Sequence, residues 1–300
     1  MRHEGNVEPG RSVFFAIGLT IVFGSILYGY TMHGGSVAVL IQVSEIIIIG
    51  GAAGGAAILA NKPKVVLGMV KETIGLLKPP SFGRKAYAEL LQVLYELFYA
   101  ARRDGLVGIE SHIEEPEKSE LFNKYPAFGK NHHALSFLSD TLKVMLTGTV
   151  EDHHLAEILD LDLERHHHEA MAVPNALSKI GDAMPGFGIV AAVLGVIITM
   201  GHIGGAAEEV GKSVAAALVG TFLGVLLAYG VFNPMAQAVE IRVNAEDAYM
   251  RCIRTAILSF SRGDPPMTSV EFARRNIDPA DRPSFTELED MTRKKNRAAA

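Results

Sequence analysis

Four long stretches of this chain carry almost no charge, and between the second and third lies a segment whose apolar residues recur at helical spacing. The first stretch, Val13 to Met32, has no charged residue. At about 1.5 Å per residue it is long enough to cross ~30 Å of hydrocarbon. Val37 to Ala60 is a second span, interrupted only by Glu45. Its stretch Gly50 to Ala57 would be a poor soluble helix, because glycine costs about 1 kcal/mol against alanine. Inside a membrane the same small residues let neighbouring helices approach closely. A third charge-free stretch lies between Asp182 and Glu208, and a fourth between Lys212 and Glu240. The pattern predicts an all-α, polytopic membrane protein with four transmembrane helices and a helical cytoplasmic domain.

The long segment between the span pairs is patterned as folded helices. Tyr87, Leu90, Leu91, Leu94, Leu97, Phe98 and Ala101 form one apolar stripe, and Gly105 stands where a helix C-terminal cap belongs. Further helices are predicted over Pro116–Lys124, Asn131–Thr147 and Val150–Met171. The tail after Pro265 is polar with scattered prolines and is expected to pack only partly. The predicted order is an N-terminal extension over 1–12, transmembrane helices 1 and 2 over 13–60, a cytoplasmic helical domain over 61–182, helices 3 and 4 over 183–239, and a cytoplasmic segment over 240–300.

Basic residues orient the spans. Lys62, Lys64, Lys71, Lys78, Arg84 and Lys85 follow the second; Arg2 and Arg11 precede the first; Arg242, Arg251 and Arg254 follow the fourth. The turn around Thr31 to Ser36 has no lysine or arginine. The positive-inside rule therefore puts both termini and the 61–182 segment in the cytoplasm. The run after Arg11 exceeds the roughly 7–15 apolar residues of a secretory signal and reads as an uncleaved first span.

Composition narrows the class further. Hydrophobic residues make up 49% of the 300 positions, and their gathering into runs argues against a wholly soluble protein. A net charge of −5 gives no electrostatic basis for nucleic-acid binding. The single cysteine, Cys252, excludes an internal disulfide framework. Tryptophan is absent, so any interfacial aromatic belt must use tyrosine and phenylalanine.

Specific motifs then join the pattern. The third span opens Asp182-Ala183-Met184-Pro185-Gly186-Phe187-Gly188-Ile189-Val190-Ala191-Ala192-Val193. The fourth reads Val219-Gly220-Thr221-Phe222-Leu223-Gly224-Val225-Leu226-Leu227-Ala228-Tyr229-Gly230, then Pro234. Tyr28 to Ser36, Pro266 to Phe272 and Arg282 to Phe285 complete an ordered set. Together these resemble the MotA family, ion-channel subunits of the bacterial flagellar stator, over nearly the whole chain. The resemblance implies a ring-shaped homo-oligomer, a pentamer, in the inner membrane around a dimer of a MotB-type subunit anchored to peptidoglycan. Ion flow at that interface turns the ring, and its cytoplasmic face pushes the rotor protein FliG. It implies no enzyme activity, no catalytic residue and no cofactor beyond the transported ion.

The residues support that chemistry to different degrees. Ion transfer across a bilayer needs a carboxylate or equivalent group, and the third and fourth spans offer only Thr199, His202, Ser213, Thr221 and backbone. A partner must supply the titrating group; in the family a MotB aspartate does. Thr221 matches the family position facing that aspartate, where a hydroxyl can donate to a carboxylate or coordinate a cation. A threonine bonded back to its own helix carbonyl is the structural alternative. Sodium-driven relatives tend to carry threonine where this chain has Ala192, whose lack of an oxygen favours protons. Pro185 and Pro234 match the family's functional prolines, which can bend a helix by removing a backbone donor. An ordinary helix start is the alternative for Pro185. Arg102 and Glu110 align with the charged residues that act on FliG. On local grounds Arg102 and Arg103 also suit the last turn of a helix.

Glu45 and the histidine groups are read as structural. Glu45 is placed at the outer membrane interface. The pairs His132-His133 and His153-His154 and the run His166 to His168 are read as surface residues, since adjacent helical positions point about 100° apart and no metal site follows from them. An ExbB- or TolQ-like energiser is the nearest rival function, disfavoured by the adjacent first pair of spans. A secondary transporter would show internal repeats and broken helices around a midplane site.

Overall fold

A computed structural model describes residues 11–78, 82–148, 150–201, 204 and 206–296, and those residues hold helices and no strand. Arg2, the rest of the extension before residue 11, and His202 lie outside the described residues. The helices in chain order are α1 (Arg11–Met32), α2 (Val37–Leu40), α3 (Val43–Ala60), α4 (Pro63–Gly75), α5 (Arg84–Asp104), α6 (Glu110–Glu114) and α7 (Glu120–Asn123). Then come α8 (Pro126–Gly129), α9 (His132–Leu146), α10 (Asp152–Gly201), α11 (Ala207–Leu227), α12 (Asn233–Ser261), α13 (Pro266–Arg275) and α14 (Phe285–Asn296). The chain packs as two compact units, Met1–Pro80 with Ala170–Arg242, and Ser81–Glu169 with Val243–Ala300.

The first unit holds the apolar helices, and four helical stretches are long and apolar enough to cross a membrane. α1 leaves Phe14 and Phe23 exposed on opposite sides, as suits a helix surrounded by lipid. The second apolar run is not one helix. It breaks between α2 and α3 at Ile41 and Gln42, where Gln42 is extended and its amide donates to the Val39 carbonyl at 3.0 Å. A side chain thus takes a carbonyl that a continuing helix would have used. Within α3 the packed face is Ile49, Ala53 and Ala57; Gly50, Gly51, Gly54 and Gly55 meet no other atoms within 4 Å. Within the chain it is therefore Ala53 and Ala57 of this stretch that pack, and the four glycines are left open.

α10 also departs from expectation. A helix over 150–171 and a separate third span were predicted, but α10 runs 50 residues without interruption through Pro174 and Pro185. Each internal proline removes one backbone hydrogen bond, at about 3 kcal/mol. The packing of Ala176, Leu177, Met184 and Ala191 offsets that loss. Pro185 is therefore no helix start. α11 leads through a π-helical turn at Ala228–Phe232 into α12, with Pro234 at its second residue.

The second unit is a conventional core. α5 buries Tyr87, Leu90, Leu91, Leu94, Leu97, Phe98 and Ala101 along its predicted stripe. Burial raises the pKa of the Tyr87 phenol, which stays protonated. Gly105 ends α5 at φ 77°, a conformation that favours glycine. Phe98 stacks on Phe260 of α12 with centroids 4.4 Å apart. The predicted helix Pro116–Lys124 is instead a 3-10 turn, Pro116–Lys118, then α7. Ser119 separates them, its hydroxyl accepting from the Phe122 amide at 3.3 Å.

The C-terminal tail is folded, contrary to expectation. α13 buries Val270 and Ala273, Ile277 follows at helical spacing, and α14 buries Leu288. The Arg274 guanidinium donates to Glu271 and to the Pro283 carbonyl at 2.9 Å. Arg84 pairs with Glu287 at 2.7 Å. The polar composition of the tail conceals a narrow apolar stripe.

Candidate functional site

In the first unit α10 and α11 meet through glycine. A Cβ on Gly224 would lie 2.7 Å from the Met184 carbonyl oxygen and 2.9 Å from the Gly188 Cα. One on Gly188 would lie 2.8 Å from the Gly220 oxygen, and one on Gly195 would lie 2.7 Å from the Ala217 Cβ. Backbones this close admit no side chain, and small residues at i, i+4 are the membrane route to such contact. Gly220 faces Ala191 and the Ala192 amide nitrogen, so Ala192 lies on the α10–α11 seam, half-buried.

Thr221 follows Gly220 and is exposed. Thr20, Thr31 and Thr199 each bond back to a carbonyl of their own helix, at 2.9, 3.0 and 2.8 Å. Among the described residues the Thr221 hydroxyl has no such bond. It is free to donate or accept outward at the seam, which is what a carboxylate or cation contact requires.

Glu45 adds a group to this seam. It is 5% exposed, and its Oε2 lies 2.6 Å from where a Gly220 Cβ would stand. That oxygen has no hydrogen-bond partner among the described residues. The third and fourth spans carry no carboxylate, but the second delivers one beside Gly220. The signal was available as the lone charge in an apolar run. Its direction was not, because the break at Gln42 resets which face of α3 turns inward.

The two prolines mark the other end of the seam. Asn233, just before Pro234, donates from Nδ2 to Asp182 Oδ1 at 3.2 Å, three residues before Pro185. Asn233 also occupies the space that the missing side chain of Gly181 leaves. Gly181 is the residue whose carbonyl Pro185 deprives of its usual partner. Pro185 and Pro234 thus flank a single bridge between α10 and α12.

In the second unit Arg102 closes the last turn of α5 and donates to the Gly263 carbonyl at 3.1 Å. Arg103 is held by Asp104 at 2.7 Å, and its hydrogen bonds hold the Asp104 carboxyl below the usual carboxylate range. Glu110 is exposed at the first position of α6, where a carboxylate complements the helix dipole. No ion pair joins Arg102 to Glu110 among the described residues. The histidine groups do not stay separate: His133 of α9 meets His166 of α10, Nδ1 to Nε2, at 2.8 Å. Spacing within each group could not reveal that meeting.

A carboxylate beside Gly220 and an open hydroxyl on Thr221, carried on helices long and apolar enough to cross a membrane, point to a multi-pass subunit of the ion-channel kind. The comparisons agree. Residues 16–105 match the family described as Motility protein A N-terminal, and residues 130–252 match the MotA/TolQ/ExbB proton channel family. Motility protein A of Salmonella typhimurium is 36% identical over 277 residues, 92% of this chain and 94% of that protein. Chemotaxis protein LafT of Vibrio parahaemolyticus is 35% identical over 90% of this chain and 94% of its own length. The structure of C. jejuni MotAB superposes with a TM-score of 0.74 at 20% identity, covering 91% of this chain and 98% of that one. The flagellar MotAB stator complex from Bacillus subtilis gives 0.67 at 22% identity, over 85% and 92%. The chain belongs to the motility protein A family, within the MotA/TolQ/ExbB proton channel family. It is a multi-pass inner-membrane, MotA-like stator subunit of the flagellar motor.

Proposed function

We propose that this chain assembles as a pentameric ring around a dimer of a MotB-type subunit and couples proton flow to torque on FliG. The observation that carries the reading is Thr221, an exposed hydroxyl with no partner in its own helix among the described residues, which follows Gly220 of the glycine-packed seam. A partner carboxylate at that position completes an ion path. The solved relatives are themselves MotAB assemblies, which supports a MotB-type partner. Ala192 offers no side-chain oxygen to replace a cation's hydration shell, which supports protons over sodium. Each charge moved across 100 mV yields about 2.3 kcal/mol, ample for stepwise motion.

Pro185 and Pro234 are the points at which protonation of the partner can bend α10 and α12. Arg102 and Glu110 present charge to FliG, where complementary charge gives steering and register more than affinity. Both termini face the cytoplasm in this reading, which the positive-inside distribution of lysine and arginine supports. The chain catalyses no covalent chemistry. Coexpression with a MotB-type partner should restore swimming in a host lacking its own stator. Swimming should persist without sodium and stop with a protonophore; dependence on sodium would overturn the choice of ion. Arg102→Glu should impair torque with membrane assembly intact, and failure to assemble would instead make the residue structural.

A further inference from the structure

Among the described residues, the one convergence of histidines from separate helices lies in the second unit, where it plays no part in the stator reading. His133 Nδ1 stands 2.8 Å from His166 Nε2 and 3.1 Å from Glu246 Oε1, and all three donor atoms lie within 4.8 Å of one another. The residues come from α9, α10 and α12 respectively. The imidazoles meet edge to face, with centroids 4.7 Å apart and planes at 83°. Nitrogen lone pairs lie in the ring plane, so this arrangement aims one ring edge at the other rather than stacking the faces.

We propose that His133, His166 and Glu246 form a binding site for a divalent transition-metal ion, zinc being the ion whose ligand preference they match best. Two imidazoles and one carboxylate, with a remaining position for water, is an established zinc donor set. A tetrahedral ion about 2.0–2.1 Å from each donor holds the donors about 3.3 Å apart. The separations of 2.8 and 3.1 Å fall short of that spacing by about half an ångström or less, so admitting an ion needs only small side-chain adjustments.

The backbone positions are already set by packing. Ala134 and Leu135 follow His133 into the core, Leu163 lies one turn before His166, and Tyr249 and Met250 lie one turn beyond Glu246; all are buried. The His133 side chain itself is 62% exposed, which leaves the ion an approach from solvent. Without metal the close nitrogen pair can share only a proton. A dication replaces that proton and also balances the Glu246 carboxylate. Once bound, it ties three helices of the unit together.

A second group, Glu151, His153 and His154, also brings donor atoms together, but all three are exposed and come from one short stretch of chain. His153 and His154 are neighbours at the start of α10, so no second helix among the described residues holds a donor against them. This group therefore serves as the internal control.

The test uses the full-length chain, purified in detergent and stripped with a chelator. It is titrated with zinc by calorimetry and with cobalt(II) by visible absorption. The proposal expects one tight zinc ion per chain, a cobalt spectrum of low coordination number, and a thermal midpoint that rises with zinc. His133→Ala and His166→Ala should each weaken binding at least about tenfold, and Glu246→Gln should weaken it as a conservative check on folding. His153→Ala should leave the tight site unchanged. Absence of saturable binding overturns the proposal. So does tight binding that survives His133→Ala and Glu246→Gln, or that His153→Ala abolishes.

Discussion

The two units of the chain use hydrophobic side chains in opposite ways. In the second, the largest side chains are fully enclosed: Leu90, Leu94, Leu97, Phe98 and Tyr249. In the first, Leu59 is 90% exposed and Leu218 67%, while the buried positions include Ala53, Ala57, Ala191, Ala228 and the glycines of the α10–α11 seam alongside Ile49, Leu177 and Met184. Water drives large apolar groups together in the one unit. Lipid supplies no such drive, so helices there associate through close backbone approach and leave their large side chains to the bilayer or to other subunits. A given substitution should therefore have opposite consequences in the two units.

The largest effect is expected from Phe98→Ala in the second unit. It removes the stack on Phe260 and leaves a cavity, at about 3–5 kcal/mol. Thermal unfolding of the purified chain should show a lowered midpoint, whereas an unchanged midpoint would deny that unit its water-driven core. Next is Gly224→Ala, which adds one carbon where the Met184 carbonyl and Gly188 Cα stand. Backbone cannot rotate aside, and overpacking of this kind costs about 1–3 kcal/mol. Reduced membrane abundance and lost swimming are the expected readouts. Gly54→Ala sharpens the contrast, because open space surrounds that position; the fold of the single chain should tolerate it, and any defect should appear only in ring assembly.

The smallest effect concerns acid stability. Hydrogen bonds from Arg274, and then Arg275, hold the Glu271 carboxyl below its usual range against the opposing effect of burial. A carboxylate with a depressed folded value contributes stability above its unfolded value, about pH 4.3. That contribution is lost as pH falls through the folded value. Glu271→Gln should flatten this acid limb of a pH–stability profile, by at most about 1 kcal/mol. An unaltered profile would show that the tail contributes no charge-dependent stability.

Legibility in the sequence followed the same division. Runs without charge revealed the spans, because exclusion of charge is a one-dimensional property. The stripe from Tyr87 to Ala101 was equally plain, since helical spacing and burial coincide along α5. The break at Gln42 and the continuity of α10 through two prolines were not, because both depend on which backbone groups find partners in the folded chain. The tail was misjudged because Val270, Ala273 and Ile277 are diluted among charges that pair with one another. Thr221, Ala192, Pro185 and Pro234 emerged from motif resemblance, and the structure gathers them along α10, α11 and the start of α12. Glu45 was visible as an anomaly, but its place beside Gly220 is a tertiary fact. The pairing of His133 with His166 joins residues 33 apart in sequence, beyond any local spacing rule.

The presence of Glu45 on the seam makes the dependence on a partner the sharpest point to measure. Proton uptake should be followed in vesicles that contain the purified chain, with and without a MotB-type subunit, under an imposed membrane potential. The account predicts flux only when both subunits are present, and loss of that flux when the partner's membrane carboxylate is replaced. Conduction by this chain alone, abolished by Glu45→Gln, would contradict it.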